Sequence, residues 1–183
     1  MCGPRRRFGG AGRNYKVPLP EPDDHALGRS RGGFTTKVHA LVDQLLRPVG
    51  LLLTPGQAHD NPQLVPLLDD YQGCRRSAGR VREHIHLIAD KAYSHPSTRA
   101  ALRSRRVRHT IPERSDQRER RTAKGSKGGR PPNFDGQLCA KRNTIERSFG
   151  RLKRRRSIAS RYDKYALTFL GGLLLGAILQ FRR

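Results

Sequence analysis

The stretch "EHIHLIAD", residues 83–90, constrains the fold more than any other part of the chain. From Ile85 to Ala89 every residue except His86 is apolar. A strand with one wet face alternates apolar and polar residues. A run without alternation reads as a strand covered on both faces, as in an α/β sheet between helices. The run ends on Asp90, followed at once by Lys91. A carboxylate at that place is costly to bury unless something pairs with it. Three partners are open: a helix that it caps, a cation, or a metal ion.

The rest of the chain supplies an α/β sheet with its partners. Residues 34–42 alternate apolar and polar, which is strand periodicity. "RPVGLLLTPG" reads as a second strand, and the short spacer "QLL" predicts a hairpin between them. "NPQLVPLLDDYQG" reads as a helix with Asn61 as N-cap, Pro62 in its first turn and Gly73 at its close. "SHPSTRAALRSRRV" predicts a basic helix and "RHTIPER" a short strand. Strands followed by strand–helix alternation predict an α/β domain with a mixed sheet. Residues 1–32, rich in Gly, Pro and Arg, read as a loose basic arm.

Charge narrows the partner. Lys and Arg number 38 against 15 Asp and Glu, a formal net charge of +23. Such an excess points to a polyanion, because each neutralised phosphate releases counterions. Residues 113–136 form a charged, Gly/Pro-broken loop suited to phosphate contact, with a solvated insert as the plain alternative. Three scattered cysteines, at 2, 74 and 139, argue against a disulfide framework or zinc site, and Cys74 and Cys139 read as buried or inert thiols. The tail 165–181 is uncharged. At about 1.5 Å per residue it spans roughly 25 Å, short of a hydrocarbon core, so it reads as a buried helix closing the core and not as a membrane span. Gly172 and Gly176 make a G-x-x-x-G there, a weak signal.

"GQLCAKRNTIERSFGRLKRRRSIAS" reads as the strongest helix. Leu138, Ile145, Phe149 and Leu152 fall in one apolar stripe. Arg142, Glu146 and Lys153 form a row beside it, with Arg147, Arg151, Arg154 and Arg155 on the far side. Glu146 reads either as a rung in a salt-bridge ladder or as a second metal ligand beside Asp90. Phosphoryl transfer by two metal ions needs carboxylates around ions about 4 Å apart, and oxygen donors suit magnesium or manganese. His39 reads as a strand residue in polar surroundings. His59 and Asp60 read as turn and capping residues, while His84 and His86 share one strand face without a third ligand.

Taken together, "GRSRGGFTTKVHALVD", "LLLTPGQAHD", "IADKAY", "IPERS" and "KRNTIERSFGRLKRRRSIASRYDK" resemble the catalytic domain of DDE-type bacterial insertion-sequence transposases. The resemblance is to the group carrying a Tyr-Arg-Glu-Lys signature on its C-terminal catalytic helix. The resemblance runs from about His25 to the end of the chain. It implies an RNase H-like fold, a two-metal site for Mg2+ or Mn2+, and cleavage and joining of double-stranded DNA at transposon ends and target. By that match Asp90 and Glu146, 56 positions apart, are catalytic and hold metal. Arg142 and Lys153 match the signature, and Arg147 and Lys91 join them as DNA-binding residues.

Two departures from the pattern bear on activity. Cys139 stands where the signature has tyrosine. The first catalytic aspartate of the family lies on a strand upstream of the Gly-Arg-rich segment in which this chain begins, and Asp23 and Asp24 do not match it. The expectation is an arm at 1–32 followed by a partial RNase H-like domain at 33–183, lacking the first strand and weakly active alone. Strand edges at 34–42 and 85–90 are expected to be left unpaired. A homo-oligomer and an upstream-frame product are the expected protein partners, with a cytoplasmic, nucleoid-associated location. A non-catalytic, basic DNA-binding remnant is the alternative.

Overall fold

The computed structural model describes residues 25–79 and 85–181. Most of the expected arm, including Cys2, Asp23 and Asp24, lies outside the described residues, as does His84. The end of that stretch is tied down. It carries β1 (Gly28–Ser30), which pairs with the start of β2 (Gly33–Val42). Arg161 holds the chain just before β1, donating to the carbonyl of His25 at 2.9 Å.

β2 and β3 (Pro48–Pro55) form the expected antiparallel hairpin, from Thr36 opposite Pro55 to Val42 opposite Pro48. Asp43 makes the turn possible. One of its carboxylate oxygens accepts from the Leu45 and Arg47 amides at 2.9 Å, and the other from Arg47 Nε at 2.7 Å. Leu46 can then sit at φ +67°, a costly conformation for a branched side chain.

A 3-10 turn, Asn61–Gln63, leads into α1 (Leu64–Ser77). Asn61 does not cap it, because its side chain instead accepts from Thr98 Oγ1 at 2.9 Å. Asp60 holds the N-cap position without a capping bond and pairs with Lys37 at 2.9 Å. Nor does Gly73 end the helix, which continues to Ser77. A glycine mid-helix costs only about 1 kcal/mol, which the buried Leu64, Leu67 and Leu68 of the same helix outweigh.

β4 (His86–Ile88), α2 (Pro96–Ser104) and β5 (Arg108–Thr110) make a strand–helix–strand unit with parallel strands. His86 lies on the wet face of β4 and bonds Thr110 Oγ1 at 2.9 Å. α2 starts at Pro96, with His95 as its cap. It buries Arg99, whose guanidinium donates to the Ile111 carbonyl at 2.8 Å. The main core forms here, from Leu64, Leu68, Leu87, Ala89, Leu102, Val107 and Ile111. The expected single mixed sheet is not seen among the described residues. An antiparallel sheet β1-β2-β3 and a parallel pair β4-β5 stand apart.

Residues 113–136 are not all loop, for they contain α3 (Ser115–Ala123). Asp116 in its first turn and Arg120 and Arg121 in its last suit the helix dipole. Arg121 also reaches back to Glu113 at 2.9 Å. The long helix expected over 136–160 is three pieces: α4 (Gly136–Ala140), α5 (Asn143–Lys153) and α6 (Arg156–Ala159). Lys141 and Arg142 form a tightened turn, with the Ile145 amide bonded to the Arg142 carbonyl three residues back.

α7 (Ala166–Phe181) is the expected C-terminal helix, but it buries only one side. Phe169, Leu173 and Ala177 are buried, whereas Leu167, Leu175 and Ile178 are exposed. Gly176 sets its close approach to α5 and α6. A Cβ there would sit 2.9 Å from Ile158 Cδ1 and 3.2 Å from Leu152 Cδ2. Among the described residues no helix is long and apolar enough to cross a membrane.

Candidate active site

Asp90 sits where its strand gives way to a short turn, Lys91–Tyr93, and the sequence question about its partner has two answers. It caps the turn, accepting from the Lys91 amide at 2.5 Å. It also pairs with Arg142 Nη1 at 2.9 Å. Both side chains keep good access to solvent, 47% for Asp90 and 39% for Arg142. The contact joins the end of β4 to the N-terminus of α5 across 52 positions of sequence.

Glu146 lies one turn into α5, exposed, and forms no ion pair or hydrogen bond with a described residue. The salt-bridge ladder, one of the two readings of Glu146, is thus not formed among the described residues: Arg142 turns to Asp90 instead of to its helix neighbour. Asp90, Arg142 and Glu146 all line one cavity of about 1250 Å³. A smaller hollow of about 400 Å³ shares Arg142 and Glu146 and reaches Cys139 and Phe134. Lys91, Arg147 and Lys153 are exposed. Arg147 also borders the large cavity, whereas Lys153 stands at the far end of α5 and does not.

Several cavity residues were not singled out in sequence. Tyr93 lines it beside Asp90. Burial pushes the Tyr93 phenol up to about 12, with smaller pushes from the Asp60 and Asp90 charges. Those charges put Asp60 in electrostatic reach of the same ring. Lys37, paired with Asp60, lines the cavity too. The period-2 pattern of β2 was the available signal for Lys37, but nothing local marks Tyr93. His39 is buried and bonds Thr54 Oγ1 at 2.8 Å, so its polar surroundings are those of a buried strand residue. Burial lowers its pKa, with Lys37 adding to the effect and Asp60 opposing it. Cys74 is an exposed free thiol and Cys139 a half-buried one, so of the two alternatives, buried or inert, burial is excluded for Cys74.

Asp90 and Glu146, like Asp43 and Asp60 on the same cavity, carry the hard oxygen donors that magnesium or manganese takes. Among the described residues no three His, Cys, Asp or Glu side chains gather closely enough to hold an ion.

The described residues make a mixed α/β framework whose large cleft carries acids together with the cations Lys37, Lys141, Arg142 and Arg147. The chain belongs to the transposase DDE domain family, which it matches over residues 16–179. It is similar to a Brucella ovis protein named as a candidate transposase for insertion sequence element IS6501, with 32% identity over 155 residues. That match covers 82% of this chain and the whole of the relative. No solved structure matches the chain. Membership in the family implies use of a divalent metal.

Proposed function

We propose that this chain carries the catalytic acids of an insertion-sequence transposase, with Asp90 and Glu146 as metal ligands in an RNase H-like framework. A single observation supports this best: the two acids, far apart in sequence, line the same cavity, and Arg142, which lines it too, pairs with one of them. When bound, a divalent cation supplies stabilisation of the charge that develops on the phosphoryl group.

The chain's own residues do the rest. Lys91, Arg147 and Lys153 neutralise phosphates of the double-stranded DNA and fix its register without reading its sequence. Arg142 holds Asp90 in place while DNA is absent. When a phosphate enters, the guanidinium can donate to it and free the carboxylate. With two acids assigned to the metal in this reading, the 183-residue chain is expected to bind DNA and to cut it poorly. A second copy and an upstream-frame product are the protein partners that the reading calls for.

The test is a nicking assay on transposon-end DNA with magnesium, run beside a binding titration at several salt concentrations. The expected result is affinity that falls steeply with salt and little or no cleavage. Robust cleavage abolished by Asp90→Ala would show that no further acid is needed. The alternative, a non-catalytic DNA-binding remnant, draws on the ion pair that occupies Asp90. It predicts that supplying an upstream segment leaves cleavage at zero.

A further inference from the structure

A row of polar groups runs along the large cavity from β2 to α5. Lys37 opens it, donating from Nζ to the Ala58 carbonyl at 2.7 Å and to Asp60 at 2.9 Å. The Asp60 and Asp90 charges both act on the Tyr93 ring, so the phenol stands within electrostatic reach of each acid. Arg142 closes the row through its pair with Asp90. All five side chains line the same space. We propose that Lys37 and Tyr93 are further substrate-contacting residues of this site: the Tyr93 hydroxyl and the remaining Nζ proton of Lys37 donate to oxygens of the DNA backbone beside Asp90. The inference rests on the transposase reading and adds to it two donors on elements other than α5.

Tyr93 carries the stronger signal. Its ring is half-buried, yet its hydroxyl forms no hydrogen bond with a described residue and borders the cavity. Folded proteins satisfy nearly all such groups, so an unpaired one in a cleft calls for a partner from outside the chain. A phenol titrates near pH 10, which makes it a donor at neutral pH. Asp60 and Asp90 can only accept when ionised. An anion entering between them must therefore be met by the phenol, the ammonium and the guanidinium of the same row. A backbone phosphate, rich in acceptor oxygens, fits those three donors, and bonds from ionised donors to it are the stronger kind.

Local structure fixes both donors in advance. Asp90 caps the turn Lys91–Tyr93, and the Tyr93 amide donates to the Asp90 carbonyl at 3.0 Å. The phenol is thereby carried at a set place relative to the candidate metal ligand. The same turn leaves Lys91 exposed and brings Tyr93 inward. Lys37 is held by two acceptors, and the segment that supplies them is itself tied down, because Asn61 accepts from Thr98 Oγ1 at 2.9 Å. An ammonium has three donors, so two fixed bonds leave one to give. Lys37 keeps 38% of its side chain exposed, enough for a ligand to reach it. A side chain already held in place loses less freedom when it binds.

The test titrates the full chain with a random-sequence DNA duplex at several salt concentrations. Tyr93→Phe should weaken binding about tenfold, the size of a hydrogen bond to a charged group, and leave the salt slope unchanged because no charge is lost. Lys37→Gln should lower the slope of log affinity against log salt by about one. Fluorine NMR of the chain labelled with meta-fluorotyrosine adds a readout on the unaltered side chain. The Tyr93 line, assigned from Phe variants of the other tyrosines, should move when duplex is added, and it decides the matter even where Tyr93→Phe melts early. Parental affinity in a well-folded Tyr93→Phe, an unchanged slope in Lys37→Gln or an unmoved fluorine line would each overturn the proposal. Arg147→Gln separates this failure from that of the wider reading. A loss of slope there, beside silent Lys37 and Tyr93 variants, removes the two added donors alone; silence in all three variants removes the DNA contacts of the transposase reading as well.

Discussion

Apolar side chains meet different fates in two parts of the molecule. Around β4, α2 and β5 they pack out: Leu68, Leu102 and Ile111 are 1%, 0% and 0% exposed. Along α4 and α5 an apolar stripe does not. Only Leu152, facing α7, is fully buried, while Leu138, Ile145 and Phe149 stay half-buried on the cavity wall. Both sets are large and apolar, so the difference lies in what each one meets. One finds a complete set of neighbours; the other faces open space between two strand edges. Stability therefore concentrates on one side of the molecule, and the acids and cations sit where packing is least complete, the usual place for function.

The comparison breaks most directly by truncation. Leu102→Ala removes a wholly enclosed side chain and should cost about 3–5 kcal/mol, a change large enough to unfold a marginal domain. Ile145→Ala, on the cavity wall, should cost less than about 1.5 kcal/mol, because much of its surface already faces open space. Urea titration of both variants checks this. Equal losses would mean that the α5 side is as firmly packed as the β4 side.

The sequence made the packed side legible and the open side less so. The apolar run before Asp90, the hairpin and α2 are all where periodicity and turn residues put them. Each satisfies its local rules within a few residues of sequence. α3 was invisible because it has no apolar stripe; charge placement and the Glu113–Arg121 pair hold it, and periodicity does not register those. The break between α4 and α5 was missed for a different reason. Lys141 and Arg142 are good helix formers, but a tightened turn there carries Arg142 to the end of β4. Asp90 and Glu146 were both singled out from local pattern and resemblance. The cavity that they share depends on contacts between distant elements, which no stretch of sequence displays.

A smaller effect should appear as pH changes. Burial lowers the His39 pKa in the folded chain below its unfolded value of about 6.5. The unfolded chain then binds the proton more readily, so this residue's contribution is present above about pH 6.5 and is lost as pH falls below it. His109, likewise lowered by burial, acts in the same direction from the packed side. Melting temperature should fall between pH 7.5 and 5.5. His39→Asn, by removing one of the two groups, should shallow that fall without abolishing it. An unchanged slope in the variant would place the titration wholly on the packed side.

The smallest stability effect belongs to the contact that spans the two parts. Arg142 and Asp90 form a good bond, but both are well exposed, and such pairs contribute about 0.2–1 kcal/mol. Arg142→Gln should therefore lower the melting temperature by no more than about 2–4 °C. Its effect on DNA should be clearer, reducing the slope of log affinity against log salt by about one if the guanidinium meets a phosphate. Arg147→Gln should show the same loss of slope with no change in melting temperature, because no described acid pairs with it. Measuring both variants by calorimetry and by salt-dependent DNA titration separates a holding role from a binding one. If Arg142→Gln destabilised the chain as much as Leu102→Ala, the contact would be part of the core, and a phosphate could not draw Arg142 away from Asp90 without unfolding the site.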